Sequence, residues 1–193
     1  MDELLNRIWS HLEAGANAGA KRSPFTMLQA ATTGVDGAPK VRTVVLRQVA
    51  RERYAVSFHT DVRSEKVAEL RRDARIALVA CDYEAGVQIR LEGMAMIVDD
   101  PDERLAVWNS SRPRTLILYR APLRPGTPVE SPSQAYAPSG TVEAGQMAGF
   151  ENFCLVSVIL TKIEFLDLSS HEGHVRKLFT RDGDEWRGGW IAP

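Results

Sequence analysis

Short β-branched runs separated by turn residues recur along this 193-residue chain, and they constrain its fold more than any other feature. FTMLQAATT, KVRTVVLRQVA, RERYAVSFHT, RIALVACDY, GVQIRLEGMAMIVDD, FCLVSVILTKIEFLDL, HVRKLFTRDG and EWRGGWIAP each read as strand. GVDGAP breaks the first two apart, with Gly34 and Gly37 suited to a tight turn. Six to eight strands with two or three short helices favour a closed antiparallel barrel over a parallel α/β sheet. The expected class is therefore mainly β with peripheral helices, as one domain over residues 1–193.

The helices have their own signals. Leu4, Leu5, Ile8, Trp9 and Leu12 follow helical spacing, which predicts an amphipathic helix over about residues 1–15. Ser64 before EKVAELRRD reads as an N-cap with an acid in the first turn. Asp99-Asp100-Pro101 starts a third helix, with Pro101 in its first turn. Five of the ten prolines fall between Ala121 and Gly149, predicting one long irregular segment.

Several function classes drop out. Lys plus Arg (24) nearly balances Asp plus Glu (25), which argues against a generic nucleic-acid binder. No apolar run approaches the roughly 20 residues that span a bilayer. The acidic N-terminus lacks the order of a signal peptide, so a cytoplasmic location without membrane contact is expected. No GxGxxG, GxxxxGK[ST] or GxSxG motif is present. His171-Glu172-Gly173-His174 lacks the spacing that puts two imidazoles on one helical face, so no metal site is expected. Cys81 and Cys154, each inside an apolar run, read as buried structural thiols.

Three segments concentrate polar chemistry. In Arg42-Thr43-Val44-Val45-Leu46-Arg47, two arginines bracket an apolar strand. Alternation puts Arg42 with Val44 and Leu46, and Arg47 on the opposite face unless a bulge intervenes. A solvated strand face with extended arginines explains the segment equally well. His59-Thr60 leads through a turn into Ser64-Glu65-Lys66, where a helix start flanked by cations favours a phosphate, although plain capping accounts for Ser64. Gln88, Arg90 and Glu92 share one strand face, and Gln88 carries both a donor and an acceptor for the edge of a heterocycle.

In order and spacing these segments resemble the FMN-binding pattern of the pyridoxamine 5′-phosphate oxidase-like split-barrel family. Ile163-Glu164-Phe165 and the closing Trp186…Ala192-Pro193 resemble its terminal strands, so the likeness runs from about Phe25 to Pro193. The resemblance implies an antiparallel split barrel with FMN as cofactor. It implies that Arg42, Arg47, Ser64 and Lys66 hold the FMN phosphate, with His59 and Thr60 nearby, and that Thr43, Val44, Val45 and Leu46 lie along the isoalloxazine. Gln88 would contact the flavin, and Arg176 would approach it from the partner subunit of a homodimer. Arg112 and His174 are the implied substrate contacts.

The sequence departs from the oxidase pattern at several of these points. His59 stands where the oxidases have Tyr, Leu166 where Trp is expected, and Glu172 where an Arg pairs with His. An acid there repels a phosphorylated substrate. The implied function is a flavin-dependent oxidoreductase acting on a small molecule. The alternative is an FMN- or haem-binding protein without efficient turnover.

Overall fold

The structure is a computed structural model that describes residues 2–19, 23–135, 145 and 147–193. Nine strands are present among them: β1 (Met27–Thr33), β2 (Pro39–Val45), β3 (Gln48–Ala50), β4 (Ala55–Asp61), β5 (Arg75–Asp82), β6 (Val87–Ile97), β7 (Phe153–Asp167), β8 (Val175–Asp182) and β9 (Glu185–Ile191). Every pairing is antiparallel, in the order β2-β1-β5-β6-β7-β4-β3. Only Leu46 and Arg47 separate β2 from β3, so the two ends of that path are continuous chain. The Arg47 amide donates to the Ser57 carbonyl at 2.8 Å and closes the sheet on itself.

The split lies in β7. One edge of this 15-residue strand pairs with β6 along its length, while the other edge is shared. Phe153 to Ile159 pair with β4, and Lys162 to Asp167 pair with β8, which continues into β9. Opposite the change of partner, the β6 register shifts between Glu92 and Gly93. A side chain at Gly93 would overlap the Ile159 carbonyl, so only glycine lets the strands approach there.

Helix α1 (Glu3–Asn17) buries Leu5, Ile8, Trp9 and Leu12 in the main core, the face that its spacing marks. Each such burial contributes about 1.5–3 kcal/mol. Asp2 caps the helix through bonds from the Leu4 and Leu5 amides and also accepts from Lys177 of β8 at 2.6 Å. Helix α2 (Glu65–Arg72) follows β4; α3 (Pro101–Ser110) and α4 (Pro113–Leu116) follow β6. A second, smaller cluster of Val107, Trp108, Leu116, Tyr119, Phe153 and Leu155 packs α3 and its extension onto β7.

Four helices and nine strands exceed the expected counts, because three-residue β3 and four-residue α4 are too short to show a period. Among the described residues, the expected irregular segment 121–149 holds one 3-10 turn, Pro132–Ala135. Residues 136–144 and 146 of it lie outside the described residues. Among the described residues no helix is long and apolar enough to cross a membrane.

Candidate flavin site

The end of β4 and the start of α2 build the first part of the site. Thr60 and Ser64 are buried, with their hydroxyls 3.4 Å apart, and Lys66 Nζ donates to Thr60 Oγ1 at 2.9 Å. Burial, and then the nearby Arg42 charge, push the Lys66 ammonium below its usual range. Ser64 takes the N-cap backbone conformation, yet its side chain caps nothing. The expected capped helix is thus corrected: the hydroxyl turns toward Thr60, leaving the positive helix end without a side-chain oxygen. A half-buried ammonium with only a hydroxyl partner, two buried hydroxyls and an uncapped helix start fit a phosphate dianion well.

Arg42 stands beside this group on the inner side of the sheet, but it is already engaged. Its Nη2 donates to Glu69 Oε2 at 2.6 Å, and its Nη1 bonds to Thr32 Oγ1, which also donates to Glu69 Oε2 at 2.6 Å. Glu69 is 2% exposed.

Arg47 does not join Arg42. The Tyr119 phenol and the Arg112 guanidinium are near it, and burial lowers its guanidinium from the ordinary arginine range. Arg47 Nε is buried without a hydrogen-bond partner among the described residues. Strand alternation holds without a bulge and puts the two arginines on opposite faces of the sheet.

His59 lies next to Arg47, with Nδ1 2.6 Å from the Tyr119 hydroxyl. Burial, reinforced by the Arg47 charge, pushes its pKa down to about 3, so the ring is neutral. Burial also raises the Tyr119 phenol well above its usual value. Tyr119 belongs to an irregular segment without a local motif, and the sequence reading missed it, as it missed Glu69 and Thr32.

Val44 and Leu46 point into the core at 6% and 1% exposure, which leaves Thr43 and Val45 to offer side chains on the outer face. That same face carries Gln88. Strand register aligns Cys81, Gln88, Leu166, Arg176 and Ile191 in one row across β5 to β9. Cys81 Sγ donates to Gln88 Oε1 at 3.8 Å, and Arg176 forks onto Glu164 with two bonds of 2.9 Å. Register carries Thr43 through Gln29 and Val79 to Arg90, three strand spacings or roughly 14 Å away, with Gln88 two residues further along β6.

The remaining candidates are exposed. Arg112 precedes α4, and His171, Glu172 and His174 occupy the turn before β8. No group of His, Cys, Asp and Glu suited to a metal occurs among the described residues. Cys154 is buried and its thiol is pushed up to about 11 by that burial, as expected of a structural cysteine, whereas Cys81 is only half-buried.

Residues 6–99 match the family described as pyridoxamine 5′-phosphate oxidase, FMN-binding domain. The chain is 26% identical over 172 residues to pyridoxine/pyridoxamine 5′-phosphate oxidase 2 of Arabidopsis thaliana, covering 85% of each protein. It is 36% identical over 107 residues to the pyridoxine/pyridoxamine 5′-phosphate oxidase of Xanthomonas euvesicatoria pv. vesicatoria (strain 85-10), covering 54% of this chain and 50% of that one. A solved pyridoxamine 5′-phosphate oxidase-related, FMN binding protein from Nostoc punctiforme PCC 73102 superposes with a TM-score of 0.81 at 23% identity. That match covers 100% of this chain and 99% of the other. By sequence, residues 6–99 match the pyridoxamine 5′-phosphate oxidase FMN-binding domain, and along its length the chain shares the split-barrel fold of the Nostoc protein.

Proposed function

We propose that the chain is an FMN-dependent oxidoreductase whose cofactor phosphate is held by Thr60, Ser64, Lys66 and the start of α2. The observation that carries the assignment is Lys66: half-buried, lowered in pKa, and bonded among the described residues only to a hydroxyl. Arg42, braced by Glu69, adds positive charge beside it. Gln88, Arg176 and the Thr43–Leu46 segment are assigned to the flavin ring. They lie along the outer sheet face, which supports a homodimer in which two protomers complete each site. Bound FMN would supply two-electron redox chemistry, and the protein supplies binding, orientation and electrostatics.

Arg47 and Arg112 are placed at the substrate side, where both guanidiniums lack a carboxylate partner among the described residues. His174 is a further substrate contact in this reading. The acidic Glu172 beside it disfavours a phosphorylated donor. A cytoplasmic location belongs to the same proposal.

The test is anaerobic addition of pyridoxamine 5′-phosphate to the FMN-loaded protein. Bleaching of the flavin, reversed by air, makes the protein a vitamin B6 oxidase despite Glu172. A flavin that this donor leaves yellow, but that other two-electron donors bleach and air restores, keeps the oxidoreductase and removes B6 oxidation. A flavin that no donor bleaches leaves a carrier.

A further inference from the structure

Beside His59 and Thr60 the irregular segment after α4 folds over β4 and encloses a cavity of about 380 Å³. Its walls are largely Leu118, Leu123 and Val129, three side chains that find no cover in either hydrophobic core and stay well exposed. The inner end is made by His59 and Tyr119, and Arg124 stands in the lining. Leu118, Leu123 and Val129 lie outside residues 6–99, whereas His59, Thr60 and Asp61 lie within them, so chain beyond the family match closes over an edge of the FMN-binding domain.

The charges around it can be counted. Asp61 also lines the cavity, but Arg63 neutralises it through Nε–Oδ1 and Nη2–Oδ2 bonds of 3.0 and 2.7 Å. The same guanidinium donates to the Ala121 and Pro122 carbonyls and so pins the start of the covering segment. Arg124 has no carboxylate partner among the described residues, and Arg47 lies behind His59 in the same condition. At the inner end the Tyr119 phenol is kept protonated by burial, with its hydroxyl 2.6 Å from His59 Nδ1. We assign the ring proton to Nε2, which leaves that N–H as a donor. The FMN phosphate assigned to Thr60, which also lines the cavity, is met by Lys66 and the start of α2, so apolar walls, one neutral donor and the Arg124 charge define what fits.

We propose that this cavity is a substrate subsite for a flat, largely apolar molecule carrying a single negative charge, such as a two-ring aromatic carboxylate. The apolar body packs on Leu118, Leu123 and Val129, and the charge lies toward Arg124 and the His59 donor. Calling the ligand a substrate rests on the flavin reading; its binding does not.

The experiment is equilibrium dialysis of 2-naphthoate against the FMN-loaded protein, with flavin content measured in every sample. Saturable binding is expected. Arg124→Glu should weaken it by about fivefold, since a rim charge is worth up to about 1 kcal/mol. Leu123→Asp should weaken it more than about tenfold by placing a charge against the apolar body. The uncharged 2-naphthalenemethanol should bind more weakly than 2-naphthoate, and both variants should keep full flavin. No saturable binding to flavin-loaded wild type overturns the proposal, as does affinity unchanged in both variants. A protein that takes up no FMN but still binds 2-naphthoate in this pattern keeps the cavity and defeats the flavin reading instead.

Discussion

Glu69 Oε2 accepts from Arg42 Nη2 at 2.6 Å inside the barrel, with the carboxylate only 2% exposed. The arginine nearest Lys66 therefore spends much of its charge on the fold. Arg42→Ala should cost about 3–5 kcal/mol of stability, because it strands Glu69 as an unpaired buried charge. Adding Glu69→Leu to that variant should recover most of the loss. Urea unfolding of the FMN-free protein reads both effects, and an Arg42→Ala midpoint equal to wild type would show that the pair carries no weight.

His59 gives the protein an acid sensitivity of definite sign. Its folded pKa of about 3 lies below the ordinary histidine value of 6.5, so the unfolded chain binds the proton more tightly. Stability is complete above the unfolded pKa and is lost as pH falls toward the folded one, by about 1.4 kcal/mol per pH unit. His11, also lowered by burial, adds a slope of the same sign. His59→Gln should remove close to one proton of slope between about pH 4 and 6. A slope identical to wild type would mean that His59 is not buried neutral.

Gly149 should be intolerant of a side chain. Its φ is +88°, and a Cβ there would come within 2.7 Å of the Tyr119 carbonyl. Gly149→Ala is expected to cost about 1–3 kcal/mol from backbone strain alone. It should also loosen Tyr119 and let the His59 pKa rise toward its ordinary value, which NMR titration of the imidazole would follow.

The outer sheet face sets the expected assembly. Val41, 71% exposed, shares that face with Gln88. Sedimentation should give the mass of two chains, and Val41→Asp should raise the dimer dissociation constant at least about tenfold. A wild-type monomer that still holds FMN would remove the interface from the site.

The strands were legible because one face is buried and the other is not: in β1 and β6 the apolar residues alternate, and in α1 they follow the helical period. Alternation also puts Arg42 and Arg47 on opposite faces, as the structure has them. What stayed hidden is non-local. Glu69 and Thr32 meet Arg42 across 27 and 10 residues, and Tyr119 meets His59 across 60, with no spacing rule to announce such pairs. Ser64 carried a true capping signal, and the fold diverted its hydroxyl to Thr60.

The phosphate cluster is the centre of the account, and a fluorescence titration of FMN into flavin-free wild type and Lys66→Met tests it most directly. Wild type should saturate with one FMN per chain. Lys66→Met should lose about 1.5–3 kcal/mol of binding, roughly 10- to 150-fold, because a charge-assisted phosphate contact is removed. Equal affinity in the two proteins would contradict the assignment of the phosphate to Thr60, Ser64 and Lys66.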